Sequence, residues 1–376
     1  MRKPCRPRPT FNGMRVLNLS LDNKVLENDS AVQRRLVALA DKAGEITVLV
    51  PGEKDEKQEL SSNLTVYSFD GARPIQLWKM WRKGEKLLTC NSSLLTSTDL
   101  ITVQDTAYLA FLAYLLARRF NLPLEVQVHG LEKFYGIRKI IAEFALNRAD
   151  KIRVVSERLR QLLASRFQFL GSKVYVLSVY TQIEVSQKTA RRKTVPYPFT
   201  FLTVGRLVAV KNIGMQIRAF AKISEKIPHI SLRIVGEGPE RSNLQLSISN
   251  YQLEDKVTLE GYQRDLHWFY EESDAFLLTS DSEGWGRVVL EAAAHKLPII
   301  MTDVGLAREV IKNEESGFVI PVGDEHELML AMKEFLDKPE LRARLGEAAF
   351  RVFKSLPSKE EQTQKQVEVW QSLLPN

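Results

Sequence analysis

The stretch "DAFLLTSDSEGWGRVVLEAAAH", residues 274–295, decides how the fold is read. "DAFLLTS" is a short, almost continuous apolar run, as a strand covered on both faces requires. "DSEGWG" then turns the chain with two glycines, and "RVVLEAAAH" reads as a helix beginning near Gly286. Strand, glycine-rich tip and helix in direct succession make up half of a β–α–β unit. Glu283 therefore falls in the loop at the strand tip, and Glu291 about a turn and a half into the helix.

The same alternation runs in both directions from this point. Upstream, "MRVLNLSL" (14–21), "EITVLV" (45–50), "LTVYSF" (64–69), "DLITVQ" (99–104), "PLEVQV" (123–128), "KIRVVS" (151–156) and "KVYVLSV" (173–179) read as strands, mostly with helical stretches between them. "SQKTARRKTVPYP" (186–198) interrupts the series as a polar, basic linker with two prolines. A second series follows: "FTFLTVGRL", "ISLRIVGEG", "KVTLEGY", "DAFLLTS", "PIIMTDV" and "GFVIPV". The chain is 376 residues long, more than one core usually serves. The expectation is two doubly wound α/β domains with parallel sheets, 1–185 and 199–353, meeting across a cleft. A last helix in 354–376 carries Val367, Trp370 and Leu374 on one stripe and is expected to cross back to the first domain.

In open parallel sheets, ligands bind outside the carboxyl ends of the strands. Gly284 and Gly286 let the backbone approach a ligand there, and a helix start offers free N–H groups at a positive dipole end. Such a turn holds phosphate or sugar oxygens while two carboxylates accept hydroxyl hydrogen bonds. The plainer reading is an acid placed near a helix start by the dipole alone. "FLTVGRLVAVKN" puts Arg206 and Lys211 just past the second domain's first strand, a fork and a point charge suited to a diphosphate. "RIVGEGPE" places Gly236, Glu237 and Gly238 at another tip, but without the third glycine of a dinucleotide fingerprint. No P-loop sequence occurs.

These residues occur in a familiar order: Gly205-Arg206 with Lys211, then Val235 to Pro239, Val257 to Gly261, Ser280 through Glu291, Pro298-Ile-Ile, and Thr302 through Gly305 to Glu309. The order and spacing resemble the retaining glycosyltransferases of the GT-B fold, family 4, with their E-x7-E motif, over about residues 200–340. The resemblance implies a nucleoside-diphosphate sugar as co-substrate and an acceptor that is a glycan or is linked to a lipid. It implies that Arg206 and Lys211 bind the diphosphate and stabilise the leaving group, and that Glu291 holds the ribose hydroxyls. Glu283 and the amides from Gly284 through Trp285 and Gly286 to Arg287 would hold the sugar and distal phosphate, with Gly205, Gly236 and Glu237 lining the donor site. Enzymes of this fold generally need no metal or other cofactor, so the two cations would take the metal's part. Asp281-Ser-Glu283 resembles a D-x-D metal motif but reads as part of the E-x7-E turn.

In the first half the resemblance puts His129 beside the donor sugar or acceptor, in the catalytic set with Arg206, Lys211 and Glu283. Gly130, Asp105, Ser156 and Arg158 are further cleft candidates. Two departures stand out: no glycine pair follows the first strand, which runs on as "LDNKVLENDSAVQRR", and the domain junction reads "SVYTQIE" (178–184). A sugar-nucleotide epimerase on the same fold, or a non-catalytic relative that binds glycan or membrane, are the alternative functions.

Charge is distributed unevenly. Residues 1–200 contain 32 Lys+Arg and 19 Asp+Glu, giving +13, and the remainder contains 21 and 27, giving −6. A basic half suits phosphates or anionic lipid. "PIQLWKMWRKGEKLL" (74–88) mixes Trp78, Met80 and Trp81 with Lys79, Arg82, Lys83 and Lys86, and reads either as an interfacial helix on an anionic membrane or as a helix packed on its own domain. No nucleic-acid motif accompanies the charge. "AYLAFLAYLLA" (107–117) has the length of a buried helix rather than a membrane span. "MRKPCRPRPTFNG" lacks an apolar signal core, and Cys5 and Cys90 are too few for a disulfide framework. A cytoplasmic protein, free or peripheral on the inner face of the cell membrane, is expected.

Overall fold

The computed structural model describes residues 13–89, 98–130, 136–167, 172–178, 183 and 198–374. The N-terminal "MRKPCRPRPTFN", both cysteines, most of the "SVYTQIE" junction and all of the 186–198 linker except Pro198 lie outside them. The chain divides into two compact units, Met1–Tyr180 with Ser358–Asn376, and Thr181–Pro357.

The first unit is an eight-stranded sheet. Its strands are β1 (Met14–Ser20), β2 (Gly44–Pro51), β3 (Glu56–Ser61), β4 (Leu64–Phe69), β5 (Leu100–Gln104), β6 (Leu124–Val128), β7 (Lys151–Val154) and β8 (Val174–Val176). Their spatial order is β3-β4-β2-β1-β5-β6-β7-β8, and every pairing is parallel except the β3–β4 edge. Alternation along β2 divides the packing. Ile46, Val48 and Val50 join Leu36 and Ala40 of helix Ala31–Ala43 in one core. Leu49 points to the other face, where helix Arg73–Leu88 brings Gly84 up to Leu116 of helix Tyr108–Phe120. A Cβ at Gly84 would lie 2.8 Å from Leu116 Cδ1, so the glycine sets how closely these two helices pack. Strand β3, "EKQELS", is not among the strands read from the sequence. None of its residues is fully buried, so it has no apolar alternation to read, and it forms by pairing on β4.

Helix Lys359–Gln371 belongs to this first unit although the second unit precedes it in the chain. A capping box of Ser358 and Glu361 starts it. Val367 and Trp370 then enter the β2 core, and Leu374 packs at its margin. Beside them Glu125 of β6 is fully buried. It accepts hydrogen bonds from Thr102 Oγ1 (2.6 Å), Gln127 Nε2 (2.9 Å), Gln366 Nε2 (2.8 Å), Trp370 Nε1 (3.0 Å) and the Tyr175 hydroxyl. Burial, then the Glu125 carboxylate, pushes the Tyr175 hydroxyl well above its ordinary range, so it stays a donor.

The second unit is an all-parallel sheet of β9 (Phe199–Val204), β10 (Ile230–Val235), β11 (Val257–Gly261), β12 (Ala275–Leu278), β13 (Ile299–Thr302) and β14 (Phe318–Ile320), ordered β11-β10-β9-β12-β13-β14. All six apolar runs of the second series are strands here. Phe201 and Leu277 point into a core shared with helices Ile213–Ser224 and Glu325–Asp337. Phe276 points to the opposite face, toward Tyr270.

Candidate active site

The strand order reverses direction between β9 and β12, and the candidate residues gather at the tips of these two strands and of β10. Hydrogen bonding continues past the strand ends: Gly205 N–H donates to Val235 O (2.9 Å), Leu207 N–H to Glu237 O (2.9 Å) and Gly236 N–H to Gly261 O (2.8 Å). Glycine makes this contact possible. Gly236 has φ +144°, and a Cβ there would lie 1.8 Å from Gly205 O. The "GEG" glycines therefore serve first to bring three strand tips together.

Past β9, a short turn over Ala209–Lys211 leads to Asn212 in the left-handed region (φ 47°). This loop is fixed to the end of β12. Asp281 N–H donates to Val210 O (2.8 Å), Asn212 Nδ2 donates to Asp281 Oδ1 (3.0 Å), and Thr279 Oγ1 lies 3.1 Å from the Lys211 carbonyl oxygen. Asp281 is thus engaged in holding the loop. The Lys211 ammonium forms an ion pair with Glu283, which also accepts from Ser280 Oγ at 2.7 Å. Lys211 Cε lies 3.8 Å from the Cβ position of Gly205, so the lysine crosses the tip of β9 next to Arg206. Arg206 is exposed and pairs with no carboxylate among the described residues.

Gly286 (φ +88°) begins helix Arg287–Ala294. Among the described residues, the backbone N–H groups of Gly284, Trp285, Gly286 and Arg287 have no hydrogen-bond partner. Trp285 is buried, and its Nε1 has none either. Gly305 (φ +55°) closes the far side: its Cβ would lie 2.7 Å from Trp285 O, and Leu306 N–H donates to that oxygen at 3.0 Å. Glu291 is held by Tyr270 OH on Oε2 (2.8 Å) and by Arg287 Nε on Oε1 (3.2 Å). Burial, then Glu291, pushes the Tyr270 hydroxyl well above its ordinary range. Behind it, His295 stacks on the Tyr270 ring at 5.1 Å. Sequence reasoning named Ser280 only as part of the motif, without a role, and missed Tyr270. Ser280 was legible, three residues before Glu283 at the strand end. Tyr270 was not, because it meets Glu291 only through tertiary packing.

Other candidates have local partners. Glu237 is exposed and pairs with Arg241 (2.8 Å). In the first unit, Asp105 holds the turn that leads into helix Tyr108–Phe120, accepting from Ala107 N–H (3.1 Å) and Leu109 N–H (3.0 Å). Ser156 is buried and caps helix Glu157–Arg166, accepting from Leu159 N–H at 3.1 Å. Arg158 is exposed on that helix. His129 and Gly130 follow the end of β6. Burial, then Arg153 and Arg35, pushes the His129 imidazole down to about 3. The imidazole is neutral at pH 7.

The unfolded chain, with histidine at its ordinary 6.5, takes up this proton first. His129 therefore contributes stability above about pH 6.5 that is lost as the pH falls from there toward its folded value. Between pH 7 and about pH 4.5, wild type should lose more melting temperature than His129→Gln. Equal losses in the two proteins would refute a suppressed His129.

Comparison with known proteins places the chain in a family. Residues 186–352 match the family model described as glycosyl transferases group 1, and residues 32–178 match glycosyltransferase family 4. The chain is 27% identical over 264 residues to alpha-D-kanosaminyltransferase of Streptomyces kanamyceticus, covering 64% of this chain and 68% of that one. It is 27% identical to N-acetyl-alpha-D-glucosaminyl L-malate synthase of Bacillus anthracis over 56% of each chain. Among solved structures, HepE of Anabaena, crystallised with UDP, superposes with a TM-score of 0.76 at 18% identity, over 96% of this chain and all of that one. Sucrose-phosphate synthase of Thermosynechococcus elongatus superposes with a TM-score of 0.78 at 18% identity, over 96% and 99%. At that identity the likeness speaks for the fold. Two parallel-sheet α/β units of the GT-B type carry these strand tips, and the chain belongs to the family 4-like glycosyltransferases of that fold.

Proposed function

We propose that the protein transfers a sugar, with retention of anomeric configuration, from a nucleoside-diphosphate sugar to a glycan or a lipid-linked acceptor. The observation that carries this reading is the combination at the strand tips of β9 and β12. Arg206, with no carboxylate partner among the described residues, and the Lys211 ammonium share the tip of β9, and Lys211 reaches Glu283 in a turn whose amides have no partner among the described residues.

The bond between the anomeric carbon and the diphosphate oxygen breaks, and a bond from the acceptor hydroxyl forms on the same face. The acceptor's proton passes to the departing diphosphate. Negative charge gathers on that diphosphate, and preorganised cations lower the barrier by meeting it. Arg206 offers a bidentate fork and Lys211 a point charge, so the reading requires no metal ion. The amides from Gly284 to Arg287 take the distal phosphate and sugar oxygens. When Lys211 turns to the diphosphate it releases Glu283, which then accepts from sugar hydroxyls. Glu291, fixed by Tyr270, accepts from the ribose.

The test is thermal stability against UDP, GDP, ADP and dTDP, beginning with UDP because HepE was crystallised with it. Ligand at about 100 times Kd adds roughly 2.7 kcal/mol to folding, a readily measured rise in Tm. A rise with one nucleotide supports the donor site and names its base. The absence of any rise overturns the reading.

A further inference from the structure

The first unit has two unlike faces. On one, helices Ala31–Ala43 and Lys359–Gln371 carry five Lys/Arg against four Asp/Glu, and none of the exposed large apolar side chains lies on them. On the other, helices Arg73–Leu88, Tyr108–Phe120 and Gly136–Arg148 pack in sequence, the first two through Gly84 and Leu116 and the last two through Tyr114 and Phe144. These three carry ten Lys/Arg against two Asp/Glu. They also expose Ile75, Trp78 (62%), Tyr108, Phe111, Ile137 (65%) and Ile140 (67%). Large apolar tips and unbalanced positive charge therefore coincide on this face.

Where the cations rest is informative. Both acids on this face are already paired, Glu85 with Arg119 (2.8 Å) and Glu143 with Lys139 (3.7 Å). Of the eight other cations Lys79 pairs with Asp55 and Asp70, and four, with no carboxylate partner among the described residues, lie over aromatic rings. Arg82 lies over Trp78 (5.7 Å), Arg138 over Tyr108 (5.4 Å) and Arg148 over Phe144 (3.7 Å). Lys83 lies over Tyr67 (3.7 Å), in a cavity of about 730 Å³ that Lys57 and Lys86 also line and that opens beside Trp78. Asp55, Glu56 and Glu85 line the same cavity, but burial, then Lys86 and Lys57, holds the Lys83 ammonium below its ordinary range.

The helix singled out in the sequence explains less by itself. Met80, Gly84 and Leu88 pack inward, and Lys79 is engaged with Asp55 and Asp70. The feature is the three-helix face.

We propose that this face docks on an anionic lipid bilayer, with Trp78, Phe111 and Ile140 among the side chains entering the headgroup layer and the cations around them meeting lipid phosphates. Charge complementarity selects the occupant. A protein partner would meet an apolar centre with charges moved to the rim, whereas here each of the three helices carries both apolar tips and cations. Trp and Tyr beside Lys and Arg, over a charge surplus, suit the membrane–water boundary. The inference is independent of the donor site, and its test involves no nucleotide.

The full-length protein is sedimented with vesicles of phosphatidylcholine containing about one third phosphatidylglycerol, and with phosphatidylcholine alone. Binding to the first at low salt, little binding to the second and a steep loss with added salt are expected. The quadruple variant Arg82→Glu/Lys86→Glu/Arg138→Glu/Lys139→Glu should lose about a hundredfold or more in partitioning. Trp78→Ser/Ile140→Ser should weaken binding with the salt dependence retained. All six positions lie on the surface of the unit, so circular dichroism and melting of both variants should match wild type. Three outcomes would overturn the proposal: wild type staying in solution at low salt, equal binding to neutral vesicles, or folded variants that bind as wild type does.

Discussion

Arg206→Ala is expected to lower kcat by about two to three orders of magnitude, the loss seen when one preorganised stabiliser of a developing negative charge is removed. Folding stability should stay within about 0.5 kcal/mol of wild type. The second expectation makes the first readable. Arg206 is exposed, and no described residue depends on it. Lys211 is a less clean probe, because removing it strips Glu283 of its ion pair and leaves only the Ser280 hydroxyl on that carboxylate. Lys211→Ala therefore mixes a stability loss of about 1–3 kcal/mol with any catalytic loss. Arg206→Lys sharpens the argument: it keeps the charge and gives up the fork, so an intermediate rate identifies bidentate contact with the leaving group. Initial rates over a range of donor concentrations, alongside melting curves, decide it. A kcat within a fewfold of wild type in Arg206→Ala would remove Arg206 from the leaving-group site.

Sequence legibility followed the range of the interactions. Strands buried on both faces announce themselves as apolar runs, and all thirteen such runs became strands. The missing strand, "EKQELS", is at an edge and half solvated, with nothing in its composition to mark it. Glu283 and Glu291 were legible because seven residues of one β–loop–α unit fix both of them. Lys211 could be placed at a strand tip, but not against Glu283, 72 residues away. Asp105 and Ser156 show the opposite hazard. Ser156 is a helix N-cap in "VSERL" and Asp105 fixes the turn before a helix in "QDTAY", and these local roles account for the residue types before any ligand is invoked. Tyr270 and the donors around Glu125 were invisible, because sheet order and helix packing bring them together.

The Glu125 cluster supports the second large expectation, that Trp370→Ala lowers the stability of the first unit by about 3–5 kcal/mol. Trp370 is fully buried and fills the β2 core with Val367 and Leu36, so truncation opens a cavity among apolar neighbours. It also takes one of five donors from a carboxylate that no solvent reaches. Trp370→Phe separates the two effects: most of the volume stays, the N–H goes, and the loss should fall to about 1–2 kcal/mol. Denaturant titration by far-ultraviolet circular dichroism measures both variants, with the two units allowed separate transitions. A loss below about 1 kcal/mol in Trp370→Ala would make helix Lys359–Gln371 a passenger on the sheet. A full loss has a consequence for how the chain folds. The helix that closes the β2 core and satisfies Glu125 arrives only after the whole second unit in sequence. The unit that begins the chain is then the last to be completed, and its sheet must wait, with a buried carboxylate short of two donors, until residues 359–371 return to it.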